Sequence, residues 1–214
     1  MTSGIGRRRA AARDEGGEEY RQRRAEIVRA AAGIFKEHGF RIAKTGDVAE
    51  ALNMDRASLY YYVGGKEELF HEVVGGAVAA NADAAEAISQ GPGTAPEKLR
   101  ALVTGLMVSY AESYPFLYVY IQENLSTVSR DRSPWSREMR RHNKRYETAV
   151  VEIVQSGIDE GTLRGDNTAW VIAYGIIGMV AWSNRWFDPN TCAVDAQTIG
   201  RTYADVIVEG LRQR

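Results

Sequence analysis

The stretch that decides the fold runs from Lys44 to Val63 and reads KTGDVAEALNMDRASLYYYV. Its apolar residues follow the spacing of two short helices that meet near Asn53 and Met54. Asp55 is a natural N-cap for the second helix, because a carboxylate accepts hydrogen bonds from the first backbone N–H groups of a helix. Helices of fewer than three turns are not stable alone, so we expect a longer helix to cover both.

That longer helix is predicted just before the stretch. An apolar stripe at helical spacing marks it: Ile27, Ala31, Ile34 and Phe35. Gly39 is expected to end the helix as its C-terminal cap. Three helices with a tight second turn make a helix-turn-helix unit. In such a unit the second short helix lies in the major groove of DNA, so this part of the chain predicts a DNA-binding surface.

Three consecutive tyrosines close the second short helix: Tyr60, Tyr61 and Tyr62. Neighbouring residues on a helix point about 100° apart, so the three rings cannot all face a core. Phenol hydroxyls donate hydrogen bonds to phosphate oxygens, and the rings can cover sugars or thymine methyl groups. We therefore expect the tyrosines to dock on nucleic acid, with burial of Tyr60 under the first helix as an equal alternative.

The residues around the tyrosines suit the same partner. Arg56 can donate two hydrogen bonds to a guanine edge, and Ala57 and Ser58 are small enough to allow close approach to the bases. The plainer interpretation is that these two small residues only fill the helix. Lys66 follows the helix break at residues 64–65 and opens a long helix, where its charge and free backbone N–H groups favour a phosphate.

Residues 21–72 resemble the DNA-binding domain of TetR-family transcriptional repressors, through AAAGIFKEHGF and TGDVAEALNMDRASLYYYVGGKEELF. The resemblance implies a cytosolic homodimer on a palindromic double-stranded DNA operator, released by a ligand held in the C-terminal helices. It also implies the residues that contact DNA: Thr45, Arg56, Ala57, Ser58, Tyr60, Tyr61, Tyr62 and Lys66. Two positions depart from the pattern. Gly46 replaces a longer base-reading side chain, and Ala43 with Lys44 replaces a threonine pair, which alters capping and offers Lys44 as a phosphate contact.

Composition limits the class of protein. The chain has 214 residues, of which 44% are hydrophobic and 26% charged, as in ordinary globular proteins. No apolar run approaches the roughly 18 residues of a membrane span, and the first residues lack the apolar stretch of a signal peptide. Cys192 is the only cysteine, so no intrachain disulfide is possible. We expect a cytoplasmic protein with no membrane partner.

Charge is divided unevenly along the chain. Residues 1–66 contain 13 Lys and Arg against 9 Asp and Glu, a net of +4, whereas residues 67–214 contain 14 against 19, a net of −5. A basic front on an acidic remainder favours a polyanion partner for the front alone. A chance fluctuation with a basic tail is the blander interpretation.

Helical spacing continues to the end of the chain, and strand patterns are almost absent. We predict an all-α protein of about nine helices, with an N-terminal three-helix helix-turn-helix DNA-binding domain and a C-terminal helical ligand-binding and dimerisation domain. The expected boundaries are a disordered basic arm at 1–18, the DNA-binding domain at 19–72 and the second domain at 73–214. Breaks are expected at 91–96 and 130–134, and the last helices at 167–186 and 195–211.

The first of those last two helices, AWVIAYGIIGMVAWSNRWF at 169–187, is apolar on nearly every side. Such a helix needs burial on several sides. Paired with the final helix, it is expected to form a four-helix bundle across a two-fold axis between two copies of the chain. The resemblance implies the same dimer.

Aromatic residues concentrate in the middle of the chain, beside a basic stripe formed by Arg137, Arg141, Lys144 and Arg145. An ordinary core and a solvated face are the plainer interpretations. The alternative is a pocket for a hydrophobic or acyl-CoA-like inducer, with the arginines on the coenzyme phosphates. The expected ligand contacts are Met107, Tyr110, Tyr114, Tyr120, Trp135, Arg141, Arg145, Tyr146, Trp182 and Trp186.

Two rival classes remain open. Catalysis is disfavoured because the three histidines, His38, His71 and His142, fall on separate predicted helices and no Gly-rich phosphate loop occurs. The sequence therefore predicts no catalytic residue, no metal site and no cofactor. The second rival is a helical carrier of hydrophobic ligands that does not bind DNA specifically, in which the basic front only aids solubility.

Overall fold

The computed structural model describes residues 17–124, 134–165 and 168–213. Within those ranges the chain is helical and no strand is formed, which confirms the all-α prediction. The helices are α1 Glu18–Ile42, α2 Thr45–Ala51, α3 Arg56–Tyr62, α4 Lys66–Gln90, α5 Ala95–Glu112, α6 Phe116–Asn124, α7 Pro134–Asp159, α8 Ala169–Trp182 and α9 Ala196–Leu211. The predicted arm up to residue 16 and the predicted break up to residue 133 lie outside the described residues.

The chain forms two compact units, one ending at Gly76 and the other beginning at Ala77. Helices α1 to α3 and the first turns of α4 build the first unit. Its core contains the predicted inward residues, with Ile27, Val48 and Leu59 fully buried. Burial of such side chains supplies most of the free energy that holds two helices as short as α2 and α3.

The helical geometry of α1 breaks at Gly39, where the sequence predicts that the helix ends. The φ of 74° and ψ of 149° of Gly39 are not helical, and the residues up to Ile42 form a separate short turn. Glycine adopts such a φ at little cost because it lacks a Cβ atom. The backbone N–H of Ala43 then donates to the carbonyl of Gly39 at 3.1 Å. The break falls where the sequence places it, but a short helical turn follows it.

The junction between α2 and α3 is built as predicted. Asp55 is the N-cap of α3 and accepts a hydrogen bond from the backbone N–H of Ser58 at 2.9 Å. Asn53 takes a positive φ of 49°, a conformation that asparagine tolerates better than most residues. The backbone N–H of Met54 donates to the carbonyl of Ala49 at 2.8 Å, which closes the turn.

Arg24 on α1 links three elements of the first unit. Its guanidinium donates to the carbonyl of Tyr62 at the end of α3 and pairs with Glu68 and Glu72 on α4. Glu68 in turn accepts from the backbone N–H of Gly64 at 3.0 Å. The side chain of Arg24 is only 11% exposed, so these charge-assisted bonds are shielded from solvent. They hold the end of α3 against α1 and α4.

The second unit packs α5 chiefly against α9 and α7 against α8. Leu99, Val103 and Met107 on α5 and Ile153 on α7 are fully buried or nearly so. Gly200 on α9 allows a close approach, because a Cβ atom there would lie 2.8 Å from the Cα of Thr104. These buried residues give the second unit a hydrophobic core of its own.

Two helix boundaries differ from the prediction. Helix α5 begins at Ala95, inside the predicted loop at 91–96, because Glu97 accepts from both the backbone N–H and the hydroxyl of Thr94 and completes a capping box. Helix α8 ends at Trp182, and Ser183–Arg185 form a 3₁₀ turn. Its buried Asn184 donates to the carbonyl of Tyr118 at 3.3 Å. That bond and the tighter turn replace the last turn of the predicted helix.

No helix in the described ranges is both long and apolar enough to cross a bilayer.

Candidate DNA-binding surface and ligand cavity

Helix α3 presents one polar face to solvent. Arg56, Ala57, Ser58 and Tyr61 are exposed, whereas Leu59 is fully buried in the core. Tyr60 is 38% exposed, and its hydroxyl lies 3.1 Å from the hydroxyl of Thr45 on α2. Tyr60 therefore does not lie buried under α1. Of the two alternatives that the sequence left open for Tyr60, the exposed position is observed.

Tyr62 differs from its two neighbours. It is half-buried, and its ring stacks on the ring of Tyr20 with centroids 5.0 Å apart. Tyr61 meets both rings edge to face, at 5.1 Å from Tyr62 and 5.8 Å from Tyr20. Such aromatic pairs add packing energy beyond the area they bury. Tyr62 thus anchors α3 to α1 through Tyr20, a residue that no sequence motif identifies.

Arg56 lies across the beginning of α2. A Cβ atom added at Gly46 would come 2.9 Å from a terminal nitrogen of the Arg56 guanidinium. The missing side chain at Gly46 therefore leaves the space in which Arg56 rests. Arg56 remains exposed in that position.

Carboxylates accept hydrogen bonds at the N-terminal ends of both α3 and α2. The hydroxyl of Ser58 donates to the carboxylate of Asp55 at 2.6 Å, and the hydrogen bonds from Ser58 hold the pKa of Asp55 below its usual value. At α2, Lys44 has no acceptor in its side chain, and its backbone N–H donates to Asp47 at 2.8 Å. The side chain of Lys44 stays exposed beside the half-buried Thr45.

Lys66 has a structural partner at the start of α4. Its ammonium donates to the carbonyl of Phe40 at 2.7 Å and lies 4.6 Å from the centre of that ring. Lys66 thus ties α4 to the end of α1, a contact that the sequence did not predict. A phosphate contact for Lys66 stays a prediction.

The second unit contains a cavity of about 370 Å³ between α4, α5, α6, α7 and α8. Most of its wall is apolar. The polar side chains on the wall are Asn81, Tyr110, Tyr120, His142, Asn143, Tyr146, Glu147 and Tyr174. Of the predicted ligand contacts, the structure brings together Tyr110, Tyr120 and Tyr146, one from each of α5, α6 and α7. Cavities of this size and character hold small organic ligands.

The other predicted ligand contacts do not line this cavity: Met107, Tyr114, Trp135, Arg141, Arg145, Trp182 and Trp186. Three of these residues show where the side chains lie instead. Met107 is fully buried in the core, and the hydroxyl of Tyr114 donates to Asp188 at 2.6 Å. Trp182 is 62% exposed, on the outer side of α8.

Arg145 is held by carboxylates on α4. Its guanidinium donates to Asp83 at 2.6 Å and to Glu86 at 2.8 Å, and another of its nitrogens lies 3.2 Å from Nδ1 of His142. The bond to Glu86 is the main cause that raises the pKa of Arg145, and Arg145 in turn lowers the pKa of Glu86. Arg141 is exposed. The basic stripe therefore links α7 to α4 or faces solvent, and does not face the cavity.

The polar groups of the cavity fall into two kinds. The hydroxyl of Tyr120 donates to Asn143 at 2.9 Å, and the hydroxyl of Tyr174 donates to Glu147 at 2.8 Å. The hydroxyls of Tyr110 and Tyr146 make no hydrogen bond to any described residue. Burial raises the pKa of Tyr120 to about 12 and also raises the pKa values of Tyr110 and Tyr146. All three phenols therefore stay protonated and able to donate at neutral pH.

Helices α8 and α9 carry exposed apolar side chains. The large ones are Trp170, Val171, Tyr174, Met179, Trp182 and Val206. A folded chain seldom leaves this many large apolar residues in water unless another molecule covers them.

The residues that the structure describes contain no group of three or more His, Cys, Asp or Glu placed to hold a metal ion.

An exposed helix-turn-helix surface in one unit and a largely apolar cavity in the other are the features of a ligand-responsive DNA-binding regulator of transcription. The chain belongs to the TetR family. The profile described as "Bacterial regulatory proteins, tetR family" matches residues 27–73, and the profile "Tetracyclin repressor-like, C-terminal domain" matches residues 92–211.

Relatives of known name support the same family. The HTH-type transcriptional repressor KstR2 of Rhodococcus jostii is 25% identical over 190 residues, which cover 88% of this chain and 91% of the relative. The ketosteroid transcriptional regulator KstR2 of Mycobacterium tuberculosis has a similar structure, with a TM-score of 0.82, 24% identity, and coverage of 90% of this chain and 96% of that chain. The TetR-family regulator PfmR of Thermus thermophilus gives a TM-score of 0.74 at 28% identity, covering 87% and 99%.

Proposed function

We propose that this protein is a repressor that binds a palindromic operator as a homodimer and leaves it when a hydrophobic or acyl-CoA-type molecule enters the cavity. The observation that carries this function is that α4 contributes Lys66 at its start and two cavity residues, Val78 and Asn81, further along. A ligand that moves α4 can thereby change DNA affinity. Coupling of this kind requires two states that differ in affinity for the ligand.

The operator is contacted by the face described for α3 and the start of α2. Arg56 is placed to donate to a guanine edge, while Ala57 allows the helix to approach the bases. Tyr60, Tyr61 and Thr45 offer hydroxyls to phosphate oxygens. Lys44 and Lys66 add positive charge along the same edge, which strengthens binding in a salt-dependent way. Ser58 and Tyr62 are the remaining candidates on this face.

The homodimer forms through α8 and α9, since their exposed apolar residues need a cover. Light scattering on the purified protein gives the mass directly. We expect a dimer for the natural chain and a monomer for Trp182→Glu. Ala101→Glu, at an exposed position of α5, is the matched control and should stay dimeric. A monomeric natural chain would contradict the homodimer.

The ligand is held by the cavity, whose volume suits a molecule of drug-like size. The names of relatives point to hydrophobic ligands: KstR2 is described as a ketosteroid regulator, and AibR, which shares the fold at a TM-score of 0.71 and 21% identity, forms a complex with isovaleryl coenzyme A and operator DNA. If an acyl-CoA is the ligand here, its acyl part occupies the cavity, and its phosphates lie outside the described wall, which contains no Lys or Arg.

The test is a gel shift on the DNA upstream of the chain's own reading frame, with a shuffled duplex of equal composition as control. A repressor shows salt-sensitive binding with a clear preference for the natural sequence, and an added ketosteroid or acyl-CoA ester releases it. Weak binding that ignores base order would favour a hydrophobic-ligand carrier instead. Since a regulator of this kind meets the chromosome, we place it in the cytoplasm.

A further inference from the structure

The cavity wall has an uneven charge. Among its described residues Glu147 is the only carboxylate, and none is Lys or Arg. Glu147 is half-buried and held in place by the hydroxyl of Tyr174 at 2.8 Å. A second carboxylate in a poorly solvated site beside Glu147 would be repelled and would lose its hydration. The wall therefore disfavours a free acid.

The same wall carries two hydrogen-bond donors without a described partner. The hydroxyls of Tyr110 on α5 and Tyr146 on α7 both lie on the cavity. The pKa values of both are raised by burial, so both groups keep their protons. A polar group shielded from water gains most from a ligand atom that completes its hydrogen bonding. Two phenol donors suit one acceptor oxygen with two lone pairs, as in a carbonyl group.

Tyr120 and Asn143 do not compete for this role. The hydroxyl of Tyr120 is already donated to Asn143 at 2.9 Å. Apolar side chains, among them Val78, Leu106 and Ile177, form most of the remaining wall and contact a hydrocarbon body, while Asn81 and His142 are its other polar residues. Tyr110 and Tyr146 supply the two phenol hydroxyls that are left for a ligand, because those of Tyr120 and Tyr174 are already donated.

We propose that the cavity takes an uncharged apolar compound whose carbonyl oxygen accepts hydrogen bonds from Tyr110 and Tyr146, and that Glu147 excludes the corresponding carboxylate. The ligand class is a ketone, ester or thioester rather than a free fatty or aromatic acid. This rests on the ligand-binding role proposed above and adds the chemical group by which the ligand is chosen.

Two probes of eleven carbons separate the classes: 2-undecanone, which is neutral, and undecanoate, which is anionic. Their binding to the full-length protein is measured by isothermal titration calorimetry in one buffer. We expect 2-undecanone to bind at least about tenfold more tightly than undecanoate, because burial beside Glu147 costs the anion far more than the ketone. Equal affinity, tighter binding of undecanoate, or no binding of 2-undecanone would overturn the proposal.

Two variants test the residues. Tyr110→Phe combined with Tyr146→Phe should weaken 2-undecanone about five- to thirtyfold, since two hydrogen bonds are lost while the rings remain. Glu147→Gln should tighten undecanoate about tenfold and leave 2-undecanone within about twofold. Tyr118→Phe removes a phenol outside the cavity wall and is the matched control. No effect of the double variant, or an unchanged preference in Glu147→Gln, would contradict the assignment even where the ketone binds.

Operator release separates this ligand class from the proposed function. If a hydrophobic compound without a carbonyl oxygen binds the cavity and displaces the protein from its operator, the regulatory role stands and the carbonyl class fails. If 2-undecanone binds as expected yet no ligand displaces the protein, the ligand class stands and the release mechanism fails.

Discussion

Tyrosines are used in opposite ways in the two units. Tyr60 and Tyr61 are neighbours on one seven-residue helix and face solvent, while Tyr110 and Tyr146 come from separate helices and line a largely apolar cavity. The first pair can be recognised from a short segment, because one helix positions both. The second pair is brought together only by packing. Local sequence therefore predicts an exposed helix face more readily than the lining of a cavity.

The largest effect on operator affinity, and none on the cavity, is expected from replacing Arg56 in the first unit. Arg56→Ala should lower operator affinity about 10- to 100-fold, because a bidentate contact to guanine contributes about 1–3 kcal/mol. Ligand affinity should not change, since the cavity lies wholly in the other unit. Fluorescence anisotropy with labelled operator and calorimetry with ligand measure the two quantities.

Arg164→Ala, at an exposed position beyond α7, is the matched control and should leave operator affinity unchanged. If Arg56→Ala binds the operator as well as the natural chain does, Arg56 is not a base contact. If Arg56→Ala alters ligand affinity as well, the residues that bind DNA and those that bind the ligand do not act independently.

The next largest effect is expected at Gly75 and Gly76, where α4 passes from the first unit to the second. Both lie within the helix, and a Cβ atom added at either meets nothing within 4 Å. Replacing both by alanine should raise the free energy of unfolding by about 1–2 kcal/mol, because helical glycine costs about 1 kcal/mol relative to alanine. Urea unfolding followed by circular dichroism measures this change.

The same double variant tests whether α4 must bend for the ligand to act. If it must, a stiffer helix should raise the ligand concentration that half-releases the operator by about three- to tenfold, in line with usual coupling energies. Gly33→Ala is the control, because Gly33 also has open space around it but lies in α1. It should add stability without changing release. Equal release by both variants would remove flexibility of α4 from the mechanism.

A smaller effect on operator affinity is expected from removing the hydroxyl of Tyr60. Tyr60→Phe keeps the ring and removes the hydroxyl that lies 3.1 Å from the hydroxyl of Thr45. We expect operator affinity to fall about threefold to tenfold, the usual range for one hydrogen bond. The anisotropy titration is repeated at two salt concentrations. A loss as large as that of Arg56→Ala would show that Tyr60 does more than position the helix.

The smallest effect concerns acid stability. Arg145 lowers the pKa of Glu86 below its ordinary value of 4.5, so this pair stabilises the fold above that pH, and the contribution is lost as the pH falls through the lowered pKa. In Arg145→Gln the fall in thermal midpoint on acidification should be slightly smaller than in the natural chain. Arg141→Gln, at an exposed position on the same helix, should follow the natural chain. Parallel curves for all three proteins would show that the pair adds no pH dependence.

Most helices follow from residue patterns that act over short distances. The stripe of α1, the Asp55 cap and the alternation of buried Leu59 with exposed neighbours each depend on contacts within a few residues. The DNA-binding face is predictable for the same reason. Lys66 is the exception, because its bond to the carbonyl of Phe40 joins two helices 26 residues apart.

The cavity was only partly predictable. Aromatic residues mark the right region, but spacing along one helix does not show which side faces the other helices. Tyr146 lines the cavity, whereas the hydroxyl of Tyr114 donates to Asp188, which lies 74 residues later in the chain. The sequence also does not show that Arg145 of the basic stripe pairs with Asp83 and Glu86, because these carboxylates lie on α4, about 60 residues earlier in the chain.

The bare backbone at Gly46 has a consequence for any attempt to retarget this protein to a new operator. A side chain installed at 46 would bring its Cβ atom to 2.9 Å from a terminal nitrogen of the Arg56 guanidinium, so the flexible, exposed side chain of Arg56 would have to take another position. A library that varies position 46 alone therefore also changes where Arg56 can reach. Varying positions 46 and 56 together lets the two side chains be selected as a pair.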